Sequence, residues 1–157
     1  MIQLAGRNKR KQGLSNASFH IADATNLPFK DNSFDYVSVS LALHETERAD
    51  RDTIVTEMKR VVKEEGALIF IDFSVPLPEN IYACLVKAIE FIAGGPHFRY
   101  FKDYIEQGGL AELLRESQLL EEKKDCLKSG LITIIKARNT SPLHNHRDDN
   151  YNSSNGH

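Results

Sequence analysis

The chain has 157 residues, 41% hydrophobic and 27% charged, which suits one compact domain with a single core. Twenty Lys and Arg against 22 Asp and Glu give a formal net charge of -2, which excludes a global field that would draw the protein onto nucleic acid or an anionic membrane. No run approaches the ~20 apolar residues of a membrane span, and the first residues lack the apolar centre of a signal peptide. Only two cysteines occur, Cys84 and Cys126, far apart and without metal-ligand spacing, so a cytoplasmic, reducing compartment is expected.

In chain order, Ile2, Ala5 and the basic run Arg7 to Lys11 predict a helix that closes with cations at its dipole's negative end, stopped by Gly13. Residues 18–22 predict a short strand with Phe19 and Ile21 on one side, followed by a loop containing Pro28 and Lys30-Asp31-Asn32-Ser33. Over 34–41, Val37, Val39 and Leu41 alternate with Ser38 and Ser40, the period of a strand. From about 50 to 63, Ile54, Val55, Met58, Val61 and Val62 form one apolar helical stripe, with Gly66 expected to end the helix. Residues 67–73 are nearly unbroken apolar sequence, as in a strand buried on both faces, and Asp72 near its end is expected at the ligand-binding edge.

Beyond Pro76 and Pro78, residues 79–93 predict an amphipathic helix with Ile81, Leu85, Ala88, Ile89 and Ile92 on one face, broken by Gly94-Gly95-Pro96. Short helices are expected at 102–107 and 110–117, then strands at 120–127 and 131–137 joined by a turn at Gly130. The polar residues 139–157 bury too little to offset their ordering entropy and are expected to form a disordered tail, behind a domain over 1–138. Alternating strands and helices indicate an α/β domain with a mostly parallel sheet and ligands beyond the C-terminal strand ends.

The run Phe19-His20-Ile21-Ala22-Asp23-Ala24-Thr25-Asn26-Leu27-Pro28-Phe29, followed by Asn32-Ser33-Phe34-Asp35-Tyr36-Val37, resembles the middle of class I S-adenosylmethionine-dependent methyltransferases. The likeness is to the ubiquinone/menaquinone-biosynthesis type and its small-molecule relatives. Ser40-Leu41-Ala42-Leu43-His44-Glu45 resembles that family's segment after its fourth strand, and Glu57 to Lys63 the helix before its fifth. The resemblance implies a Rossmann-like methyltransferase fold with helices on both faces of the sheet, S-adenosyl-L-methionine as cofactor and a small-molecule acceptor. It also implies an adenine-binding pair, Asp23 and Ala24, whose carboxylate and N–H suit the adenine amino group and ring nitrogen; a turn-capping role for Asp23 is the alternative. Ser40 and Leu41 are expected along the cofactor's methionine side, although Ser40 also reads as an ordinary outward strand serine.

His44 and Glu45 would meet the acceptor, with His44 as general base for a nucleophile that must lose a proton and Glu45 contacting substrate; the plainer reading makes them the start of a loop. His97-Phe98-Arg99-Tyr100 mixes aromatic and cationic groups after a glycine break, which suits a lid in which His97, Arg99 and Tyr100 touch substrate, or else a surface connection. No metal site is expected: His144, His146 and His157 lack a carboxylate or thiolate frame.

Two departures from the family pattern are visible. Ahead of the position matching Met1, its members carry an acid-x-Gly-x-Gly-x-Gly loop and a second-strand acid, which serve the cofactor's methionine end and ribose; here the nine glycines form no Gly-x-Gly. The expected fold is therefore N-terminally truncated, without its first two strands, and its exposed strand edges could support a homo-oligomer. The second is Lys63-Glu64-Glu65-Gly66, where the family usually has Lys-Pro-Gly-Gly. Three functions stay in view. The first is methyl transfer to a small molecule, with the activity of this chain alone open. The second is a cofactor-free interaction module or pseudoenzyme that pairs its sheet edges with a partner. The third, a nicotinamide oxidoreductase, lacks its dinucleotide fingerprint.

Overall fold

The computed structural model describes residues 2–139. Of the expected tail, Asn139 instead ends the last strand, and residues 140–157 with their histidines lie outside the described residues. Helix α1 (Ile2–Lys11) ends as expected, with Gly13 at φ 65 and the Leu14 N–H returning to the Lys9 carbonyl. Strand β1 (Phe34–Ser40) follows, then a 3-10 turn (Leu43–Glu45), helix α2 (Arg48–Val61) and strand β2 (Val62–Phe73). Helices α3 (Ile81–Ala93), α4 (Gly95–Glu106) and α5 (Gly109–Glu116) come next, and the antiparallel hairpin β3 (Leu119–Leu127) and β4 (Ile132–Asn139) closes the sheet.

The α/β, Rossmann-like class is as expected, but the sheet is mixed. In the order β1-β2-β4-β3 only β1 and β2 are parallel; β2–β4 and β4–β3 are antiparallel, because β4 returns directly from β3 through a tight turn with Gly130 at φ 85. The expected strand at 18–22 does not form. No described strand lies beside it to accept its N–H and carbonyl groups, and Ile21 stays 89% exposed. One free edge of the sheet is β1.

The register puts Val37, Leu68 and Ala137 in one cross-strand row and Val39, Phe70 and Ile135 in the next. Ile54, Val55 and Met58 of α2, Tyr104 of α4 and Leu113 and Leu114 of α5 pack on these rows in one core. The helices that build this core, α2, α4 and α5, lie on one side of the sheet. The alternate rows, Ser38–Ile69–Lys136 and Ser40–Ile71–Ile134, point the other way and are partly or fully exposed. The apolar stripe expected to bury α3 also faces outward: Ile81, Leu85, Ile89 and Ile92 are 53% to 81% exposed, and α3 packs chiefly on α4.

Gly66 does not end α2. The helix stops at Val61 and β2 begins at once, with residues 63–66 bulging opposite Asp35 between the pairs Phe34–Val62 and Tyr36–Ala67. A Cβ at Gly66 would stand 2.8 Å from the Asp35 carbonyl oxygen and 2.7 Å from Val62 Cγ2. Backbone cannot yield as a side-chain tip can, so Gly66→Ala is expected to destabilise the fold by about 1–3 kcal/mol. Urea unfolding checks this, and an unchanged midpoint would contradict the close approach.

Candidate active site

The parallel strands β1 and β2 end side by side, and the chain leaves β1 through Leu41, at φ 50, whose N–H is held by the Ile71 carbonyl (2.8 Å). That turn brings the 3-10 segment over the end of β2, where Asp72 is 0% exposed. Four N–H groups converge on its carboxylate: Leu43 N (3.1 Å) and His44 N (3.3 Å) on Oδ2, and Phe73 N (2.8 Å) and His44 Nδ1 (2.6 Å) on Oδ1. A carboxylate with so many donors acts as acceptor, so Nδ1 of His44 carries the proton and Nε2 is the acceptor of the neutral ring. Nε2 lies 3.7 Å from Glu45 Oε1, whose side chain is half exposed, while His44 itself is 4% exposed.

Aromatic rings complete the enclosure. Phe73 stands 4.6 Å from the His44 ring, Phe101 6.1 Å and Tyr104 6.4 Å, all edge-on. Tyr104 donates to the Phe73 carbonyl (3.1 Å). Burial, and then the nearby Asp72 charge, push its phenol well above the usual tyrosine range, so it stays protonated. On the other side of the turn, the buried Arg51 donates from Nε to the Leu43 and Thr46 carbonyls (both 2.9 Å) and from Nη2 to the Tyr100 carbonyl (3.0 Å). It also pairs with Asp103 (3.0 Å) and lies 5.5 Å over the Tyr104 ring. Arg51 precedes Ile54, Val55 and Met58 by three, four and seven residues, so its place on the apolar stripe of α2 was the signal that marked it. Phe101 and Tyr104 had no such signal, because their approach depends on how α4 docks.

The residues expected from sequence are placed unevenly. His44 and Glu45 stand together over Asp72, and Ser40 and Leu41 lead into the same turn, both exposed. Asp23 and Ala24 are exposed in a separate turn, where Asp23 Oδ1 accepts from the Thr25 N–H (2.9 Å) and hydroxyl (2.7 Å). Those bonds, the hydroxyl first, hold the Asp23 carboxyl below its ordinary range, and Oδ2 takes no part in them. The turn-capping role of Asp23 is thus present, and it leaves one oxygen over. The expected lid is instead the first turn and a half of α4, with Pro96 near its start. Pro has no N–H to satisfy there, so the glycine break opens a helix rather than a loop. His97 and Arg99 are exposed on it, and the Arg99 guanidinium lies 5.2 Å over the half-buried Tyr100 ring. Among these, only the main chain of Tyr100 is tied to the His44 turn, through Arg51.

A methyltransferase-domain family profile matches residues 1–70, a span that contains both the Asp23 turn and the His44 turn. A ubiquinone/menaquinone biosynthesis C-methyltransferase of Psychromonas ingrahamii is 29% identical over 144 residues, covering 82% of this chain and 57% of that protein. A demethylmenaquinone methyltransferase of Paenarthrobacter aurescens is 39% identical over 133 residues, covering 76% of this chain and 52% of that protein. In sequence and in fold the chain is similar to class I S-adenosylmethionine-dependent methyltransferases. A crystal structure of a methyltransferase from Aquifex aeolicus agrees in fold, with a TM-score of 0.58 at 17% identity over 86% of this chain and 61% of that one. The chain spans about half the length of the curated methyltransferases it matches. No helix among the described residues is long and apolar enough to cross a membrane.

Two outcomes follow from these contacts. Arg51→Met should cost about 3 kcal/mol, because buried carbonyls lose their donor, with partial recovery in Arg51→Lys; denaturant unfolding reads both. On α2, Glu57 is held at about 2 by Arg60 and by the Leu27 N–H, below its ordinary 4.5. A depressed carboxyl stabilises the fold above its unfolded pKa, and the contribution disappears as pH falls through its folded one. Stability should therefore decline between about pH 4.5 and 2, and Glu57→Gln should flatten that part of the profile.

Proposed function

We propose that this chain carries the acceptor side and the adenine side of an S-adenosyl-L-methionine-dependent methyltransferase acting on a small molecule, with His44 as the base at the acceptor. The observation that carries the reading is the His44–Asp72 pair, buried at the C-terminal ends of the two parallel strands. Open α/β sheets bind ligands at that edge. Relatives named as methyltransferases support the same assignment, and a cofactor-free module is not favoured beside them.

The residues present fit part of the cofactor. Asp23 offers a free carboxylate oxygen and Ala24 an exposed neighbouring main chain, the acceptor and donor an adenine edge requires. Ser40 and the left-handed Leu41 are exposed where β1 ends. For the remainder, the chain contains no Gly-x-Gly of its own. When bound, the cofactor supplies a methyl carbon already activated by positive sulfur, so the protein's part is alignment, exclusion of water and removal of an acceptor proton.

The fixed ring of His44 suits that last task. Its Nδ1–H is committed to Asp72, leaving Nε2 to accept a proton on the side of Glu45. The ring that has taken up the proton has Asp72 on one nitrogen and Glu45 near the other. Water is kept from the other flanks by Phe73, Phe101 and Tyr104. His97, Arg99 and Tyr100 are assigned to the outer rim of the acceptor site. A reducing, cytoplasmic setting is in keeping with Cys84 and Cys126, both free and exposed.

The test is thermal unfolding by circular dichroism with and without S-adenosylhomocysteine. At ~100 times its dissociation constant, a bound ligand adds about 2.7 kcal/mol and moves the transition upward. A transition indifferent to ligand would refute cofactor binding by these residues alone. For the base, His44→Gln should lower methyl transfer about 100-fold or more while leaving the ligand-induced shift intact. Loss of the shift together with activity would assign His44 to folding instead.

A further inference from the structure

We infer that Glu57 and Arg60 of α2 are positioning residues for the adenine end of the site, which they control by holding the main chain that follows Asp23 and Ala24. The inference rests on the cofactor reading above and adds residues to it. Residues 22–33 form neither helix nor strand, so their polar main-chain groups must find partners elsewhere. Two side chains one helical turn apart supply several of them. Glu57 Oε2 accepts from the Leu27 N–H (2.8 Å), and Arg60 donates from Nη2 to the Leu27 carbonyl (3.0 Å) and from Nη1 to the Phe29 carbonyl (2.7 Å). Leu27 is thus gripped at both its donor and its acceptor by α2.

The grip is stiff because its two members lock each other. Arg60 Nε meets Glu57 Oε1 and Nη2 meets Oε2, both at 2.7 Å, a two-bond fork that fixes the guanidinium plane, and Nη1 reaches Asp31 (2.7 Å) as well. The end of the helix adds main-chain ties, with Asn32 N–H donating to the Arg60 carbonyl (3.0 Å) and Ser33 N–H to that of Val61 (2.8 Å). Upstream, the Asn26 N–H donates to the Asp23 carbonyl (3.2 Å), and Thr25 holds the Asp23 side chain. Hydrogen bonds from α2 hold Leu27 at one end, those of Asn26 and Thr25 hold Asp23 at the other, and only the short main chain between them joins the grip to the exposed Asp23 carboxylate. A lysine at position 60 could not reproduce it, since an ammonium has no planar fork to serve two carbonyls and a carboxylate together.

The experiment uses the full chain as wild type, Arg60→Lys and Glu57→Gln. Titration calorimetry with S-adenosylhomocysteine and with adenosine gives affinities, and amide hydrogen exchange reports Leu27 alongside Phe70 in β2. In both variants, Leu27 exchange should rise at least tenfold with Phe70 unchanged. The dissociation constants for both ligands should rise about tenfold by the same factor, because adenosine carries only the end affected. Variants that free Leu27 yet bind both ligands as wild type does would reduce the clamp to a loop anchor and overturn the inference alone. Weakened binding without release of Leu27 would overturn it too. A wild type that binds neither ligand would remove the cofactor reading and this inference with it.

Discussion

A carboxylate buried away from water is stable only where donors surround it, and Asp72 meets that condition by drawing in the turn that follows β1. Its bonds to Leu43 and His44 join the ends of the two parallel strands, and one of them also fixes the tautomer and plane of the histidine ring. Arg51 secures the same turn from the opposite side through its carbonyls. Donors of the turn point to an anion and its acceptors to a cation, so the short segment has one conformation and carries His44 with it.

α2 holds both segments of the proposed site. Near its start Arg51 holds the His44 turn, and about two turns later Glu57 and Arg60 hold the Leu27 segment. Between them, Ile54, Val55 and Met58 seat the helix on the sheet. One well-packed element therefore sets the separation of the His44 turn from the Asp23 turn, the two segments proposed to meet the acceptor and the adenine. The unpaired edge of β1 and the outward rows of Ile69, Ile71 and Ile134 lie away from that element, on the part of the sheet that the core helices do not cover.

Much of this was legible from residue order. Period-two alternation located β1, the unbroken apolar run located the buried part of β2, the α2 stripe located its helix, and Gly130 marked the hairpin. Matched motifs pointed to His44 and to the Asp23 turn before any geometry was available. Other readings failed for separable reasons. Residues 18–22 have the pattern of a strand but no neighbour to pair with; Gly66 serves a bulge rather than a helix end; and the break at Gly94 ends α3 as expected, but α4 starts at Gly95, well before the helix expected at 102.

The sequence by itself determined the fold class, the family likeness and the identity of the principal polar groups, because those depend on local period and on residue types at fixed spacing. It could not determine that Asp72 belongs to His44, 28 residues away, or that Phe101 and Tyr104 enclose them both. Nor could it decide which face of α3 is covered or where the row of Ile71 points in relation to the helices. Those are outcomes of strand order and helix docking, in which groups remote in the chain compete for the same few partners, and only the tertiary structure resolves that competition.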